Sequence, residues 1–173
     1  VSFSICDEWV ALDLETTGLD FDLDRIIEVG AVLFRDGKPA DRFTSLVNPH
    51  QQLPARIAAL TGLKAAELSE APEPSQVLPA LLAFVGDRPV VGHNLKFDLT
   101  FLARAMTADP ALAARAKSWP ALAVDTLELA RIILPRSSSH ALAALDEASE
   151  ADAEDAQGEE DREQGRSVGH RHD

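Results

Sequence analysis

The stretch Trp9-Val10-Ala11-Leu12-Asp13-Leu14-Glu15-Thr16-Thr17-Gly18 is an apolar run that carries two acids two positions apart. In a β-strand, residues i and i+2 share a face, roughly 7 Å apart along the backbone. Asp13 and Glu15 then project together, while Val10, Leu12 and Leu14 face the other way from Ala11. With Trp9 in front, the run reads as a strand buried on both faces. Two carboxylates held that close in low dielectric repel each other, and a divalent cation is the natural group to sit between them. The plainer reading is a strand edge whose acids face water.

Ile26 to Phe34 reads as a second strand, reached through Gly18 and an Asp-rich loop. Arg35-Asp36-Gly37-Lys38 is a hairpin signal, because Asp-Gly supplies the positive φ angles of a tight primed turn. A third strand is expected over Arg42 to Val47, ended by Asn48-Pro49. Ala55 to Leu60 has a helical pattern that stops at Thr61-Gly62. A second helix is expected after Pro72-Glu73-Pro74, with Val77, Leu78, Leu81, Leu82 and Val85 at helical spacing and Gly86 at its end. Pro89 to Gly92 reads as a short buried strand feeding a helix at Asn94, a residue suited to an N-cap. Ala121 to Val124 is expected as another strand, followed by a helix through Ala130. A three-strand meander followed by alternating strands and helices predicts an α/β fold, a mixed sheet flanked by helices.

With 173 residues, 46% hydrophobic and 26% charged, the composition is that of a globular domain rather than a disordered or fibrous chain. The longest apolar stretches, such as Ala80 to Val85, fall far short of the roughly 18 residues that a membrane span needs. The N-terminus has no basic start and runs into Asp7 and Glu8, unlike a secretory signal, so a cytoplasmic location is expected. The lone Cys6 excludes an internal disulfide and a thiolate metal cluster. The formal charge of −13 would argue against nucleic acid, but eleven acids and three arginines in residues 146–173 supply −8 of it. The body of the chain is only mildly acidic, and a metal-dependent enzyme can bind a phosphodiester without a strong basic stripe. The expected division is a domain over 1–145 and an acidic segment without apolar periodicity over 146–173.

Asp98 adds a third acid. On a helix turning 100° per residue, Leu95, Phe101, Leu102 and Ala105 lie within about 60° of its direction, so it sits in the apolar face. An unpaired buried carboxylate is costly, which again points to a cation. A first-turn acid also suits the helix dipole, but that does not explain the choice of face. Asp13, Glu15 and Asp98 can together supply oxygen ligands for two Mg²⁺ or Mn²⁺ ions.

Asp13-Leu14-Glu15-Thr16-Thr17-Gly18 with Gly92-His93-Asn94-Leu95-Lys96-Phe97-Asp98 resembles the DEDD superfamily of 3′-to-5′ exonucleases, in its bacterial proofreading branch related to the polymerase III epsilon subunit. Leu60-Thr61-Gly62-Leu63 and Val124-Asp125-Thr126-Leu127 match that branch as well, and the likeness spans residues 9 to about 145. It implies a ribonuclease-H-like fold, Asp13, Glu15 and Asp98 as ligands of two Mg²⁺ or Mn²⁺ ions, and a DNA 3′ end as substrate. It also implies that Thr16, Thr17 and Leu19 lie beside the terminal nucleotide, with His93, Asn94 and Phe97 lining its site. His93 and Asn94 equally suit plain loop and cap chemistry. A polymerase subunit is the implied protein partner.

The family completes its site with a His, as general base, and an Asp five residues later. His140 is followed six residues later by Asp146, and its surroundings look more like the helix that precedes the motif. Arg171-His172-Asp173 resembles the motif's opening, which makes His172 the expected base and places the last acid four positions past Asp173. On that reading the chain is cut short within the motif, and activity is weakened. The other reading of the same residues is a polar tail. Two further functions remain open: an exoribonuclease using the same residues, and an incomplete domain that binds nucleic acid or a polymerase without turnover. A Rossmann or P-loop nucleotide enzyme finds no glycine motif here.

Overall fold

The computed structural model describes residues 7–137, 139–142 and 144–145, which fall into two compact units that divide between Thr126 and Leu127. The first unit is built on five strands: β1 (Glu8–Thr16), β2 (Ile26–Arg35), β3 (Lys38–Leu46), β4 (Val90–Gly92) and β5 (Ala123–Asp125), in the order β3-β2-β1-β4-β5. β1, β2 and β3 form the antiparallel meander, while β4 and β5 run parallel to β1. This is the expected mixed sheet. Its helices are α1 (Ala55–Thr61), α2 (Ala65–Ser69), α3 (Pro74–Val85) and α4 (Leu95–Ala108). In the second unit, α5 (Thr126–Ile133) begins at the junction. Among the described residues, no helix is long and apolar enough to cross a membrane.

One face of the sheet carries the main core. Val10, Leu12 and Leu14 of β1 and Val29, Ala31 and Leu33 of β2 cluster with Val77, Leu78, Leu81, Leu82 and Val85 of α3. Leu95, Phe101, Leu102 and Met106 of α4 complete that layer. A smaller cluster of Ile27, Leu53 and Leu68 packs against Ile57 and Ala58 of α1.

Several boundaries depart from expectation. β3 starts at Lys38, four residues before Arg42, because the Asp36-Gly37 turn takes only two residues, both at positive φ, and lets the ladder resume at once. Pro39 is tolerated there because β3 is an edge strand. The α2 turn has too few residues to leave a periodic pattern, and it was not anticipated. β5 lies at 123–125 rather than 121–124. β1 is not buried on both faces: Val10, Leu12 and Leu14 are covered, but Trp9, Ala11 and Glu15 are half-buried and Asp13 is exposed. Trp9 owes its partial cover to stacking on Phe34, its cross-strand partner, at 4.1 Å between ring centres.

Candidate active site

β1, β4 and β5 are parallel, so their carboxyl ends open on one edge of the sheet, where α/β folds place ligands. Asp13 and Glu15 lie near the end of β1, His93, Asn94 and Asp98 follow β4, and Asp125 ends β5. Register explains how Asp98 is held. Val10 N donates to Pro89 O, so by the two-residue period the N–H groups of Leu12 and Leu14 also face β4. β4 stops at Gly92, and the Leu14 N–H has run past it. Asp98 Oδ1 accepts that N–H at 3.0 Å, standing in for the missing strand.

Asp98 is 4% exposed, in the apolar face expected for it. Burial raises its pKa to about 7, and the charges of Asp13 and then Asp125 push the same way, against hydrogen bonds from its own backbone and from Leu14. Burial also raises Asp13, although its side chain is exposed, because protein on one side thins its water shell. Glu15 is raised by burial, then by Asp13, then by Glu28, its cross-strand partner. Like charges facing each other across a ladder destabilise it, an arrangement typical of a working site rather than a structural one.

Asp98 thus feels the charges of Asp13 and Asp125, and Glu15 those of Asp13 and Glu28. Among the described residues, no set of three His, Cys, Asp or Glu side chains is grouped closely enough to hold a metal ion. The expected gathering of Asp13, Glu15 and Asp98 around shared cations is thus not preformed among the described residues. In kind, the donors fit a hard divalent cation: all are carboxylate oxygens, and bound positive charge would offset the repulsion that raises their pKa values.

The loop from Thr16 to Arg25 is tied from within. Thr16 Oγ1 donates to Gly18 O at 2.6 Å. Thr17 Oγ1 donates to Asp24 Oδ1 and accepts from Arg25 N and Gln51 Nε2, so this hydroxyl is buried and fully engaged. Leu19 stands 81% exposed beside the acids' end of β1. Phe97 packs with Phe21 and Phe101 in a cluster of three rings. His93 Nδ1 lies 3.1 Å from Thr126 Oγ1, and the exposed Asn94 stands at the expected N-cap position of α4, with a left-handed backbone and no side-chain cap bond. An Asn tolerates that conformation better than most residues. His140 Nε2 bonds to Leu134 O within the second unit. His172, Asp146 and the acidic segment 146–173 lie outside the described residues.

Sequence reasoning gave no role to Asp24, Gln51, Asp125 or Thr126. The motif Val124-Asp125-Thr126-Leu127 was the available signal: a carboxylate at the carboxyl end of a short strand.

Residues 10–154 match the family model for Exonuclease (RNase_T). The chain is 38% identical over 136 residues to the PolC-type DNA polymerase III of Bacillus cereus, covering 79% of this chain and 9% of that protein. It is 39% identical over 139 residues to the PolC-type DNA polymerase III of Oceanobacillus iheyensis, covering 80% and 9%. The chain thus spans about a tenth of the length of these curated relatives. Among solved structures, exonuclease X in complex with 5′ overhanging duplex DNA superposes with a TM-score of 0.63 at 23% identity, covering 82% of this chain and 73% of that one. A structure of exonuclease I gives 0.62 at 18% identity, covering 73% and 30%. The likeness to these solved structures establishes the ribonuclease-H-like fold.

Proposed function

The chain belongs to the exonuclease family, and from that membership we propose that it is a metal-dependent 3′-to-5′ exonuclease that releases nucleoside monophosphates from DNA. The observation that carries this reading is the set of acids at the carboxyl ends of the parallel strands, with Asp98 buried and its pKa raised by burial and then by the charge of Asp13. Asp13, Glu15 and Asp98 would hold Mg²⁺ or Mn²⁺, two ions in all. When bound, such ions neutralise phosphate charge and make a water a stronger nucleophile at neutral pH. Leu19 and Phe97 would offer apolar surface to the terminal nucleotide, and Thr16, Thr17, His93 and Asn94 would frame it. Water oxygen forms the new bond to phosphorus, the bond from phosphorus to the 3′ oxygen breaks, and that oxygen takes a proton on the shortened strand. His172 would accept the proton lost by water. We assign the ion-holding and nucleotide-framing residues to the domain over 1–145, and the base His172 to the segment 146–173.

DNA, and association with a polymerase, are proposed because the relatives are DNA polymerases and one structural neighbour was solved on duplex DNA. A second reading, a domain that binds nucleic acid without turnover, draws support from the lack of a preformed three-acid group among the described residues. A 5′-labelled single-stranded DNA separates the two. A descending ladder with Mn²⁺, lost with EDTA and in Asp13→Ala, is the expected result. Retention of the strand on the protein with no shortening would establish the second reading. Immediate release of the 5′ label would overturn the polarity, and faster loss of an equivalent RNA would overturn the choice of polymer.

A further inference from the structure

The β5–α5 junction reaches back over 31 to 34 residues of sequence to grip the β4–α4 junction with three bonds. Asp125 Oδ1 accepts the Asn94 N–H at 2.9 Å, Thr126 Oγ1 donates to Gly92 O at 3.1 Å, and His93 Nδ1 lies 3.1 Å from the same hydroxyl. Gly92 and Asp125 are also direct strand partners, at the end of a ladder only three residues long.

That grip falls where α4 is otherwise weakly specified. Asn94 provides no side-chain cap, and its left-handed backbone, φ 60°, is one that Asn tolerates but does not by itself fix. Asp98 sits in the first turn of the helix that Asn94 begins, and its carboxylate must meet the Leu14 N–H. A small rotation at the helix entry is therefore carried directly to the carboxyl group of Asp98. Through their neighbours, the same two side chains set where His93 and Asn94 stand.

We propose that Asp125 and Thr126 are positioning residues for the reaction: they lock the left-handed entry of α4 and thereby aim Asp98, and with it Phe97, at the site. This rests on the exonuclease reading above. It assigns to Asp125 an acceptor's role, which the Asn side chain can also fill, rather than a charge's role.

The test uses the full chain with Asp125→Ala, Asp125→Asn, Thr126→Val and Thr126→Ser, read by amide hydrogen exchange and by steady-state kinetics on single-stranded DNA with Mn²⁺. Asp125→Ala is expected to speed exchange across residues 94–98 by about tenfold or more. It should lower kcat by about 10- to 100-fold, as a displaced reacting group does, with a smaller rise in KM through His93, Asn94 and Phe97. Asp125→Asn and Thr126→Ser should restore both readouts, and Thr126→Val should act like a milder Asp125→Ala. Wild-type exchange and kcat in Asp125→Ala would overturn the proposal. So would an Asp125→Asn variant with normal exchange but the low kcat of the alanine variant, because the charge would then be what matters. If the wild-type chain releases no nucleotide, the exonuclease reading fails, and the exchange measurements still decide whether the grip exists.

Discussion

Asp98 carries a conflict between stability and chemistry that the other acids share only in part. Its folded pKa of about 7 stands above the ordinary 3.8, so the folded state holds a proton that the unfolded state has already lost between those values. Stability from this group is therefore complete below about pH 4 and is lost as the pH rises through 7. Asp98→Asn keeps an acceptor for the Leu14 N–H and carries no charge. In EDTA it should match the wild type near pH 4 and exceed it at pH 8 by on the order of 2 to 4 kcal/mol, read from urea unfolding, while nuclease activity is lost. Parallel stability profiles for the two proteins would refute the buried charge. That Asp98 lies in the apolar face was legible from its spacing to Leu95, Phe101 and Leu102. That its partner is a backbone N–H of β1 was not, because 84 residues separate the two.

β4 shows how three residues can set a site. A side chain on Gly92 would bring its Cβ to 2.9 Å from Leu12 O and 2.7 Å from Leu95 Cδ1, so β1, β4 and α4 meet only because this position has none. Gly92→Ala should destabilise the domain by about 1 to 3 kcal/mol, the usual cost of overpacking, measured as a lower urea midpoint. Its activity should fall further than stability explains, since the shift passes directly into the first turn of α4. An unchanged midpoint would mean that the strands have slack to give. The glycine was visible in the sequence as the last residue of the short strand Pro89 to Gly92. The backbone oxygen it must clear belongs to another strand and left no local trace. Likewise, the Asp-Gly turn was readable, but the length of β3 was set by pairing with β2.

Over the whole first unit, the acids come from β1, α4 and β5, elements far apart in the chain that meet only at the sheet's edge. A cation held by Asp13, Glu15 and Asp98 would tie β1 to α4. Mn²⁺ at a hundredfold excess over its Kd should stabilise the protein by about 2.7 kcal/mol, seen as a thermal midpoint that climbs with metal concentration. Asp13→Ala should flatten that climb, and an identical rise in the variant would place the cation elsewhere.

Local chemistry was enough to define the meander, the apolar faces of α3 and α4, and the acids Asp13, Glu15 and Asp98, because periodicity and turn preference are written in adjacent residues. Only folding in three dimensions decided that Asp13 is exposed, that Asp98 caps an orphaned N–H of β1, and that Asp125 and Thr126 hold the start of α4. Each of these depends on where one strand ends beside another, and hydrogen bonds across such distances follow from packing, with no pattern along the chain to announce them.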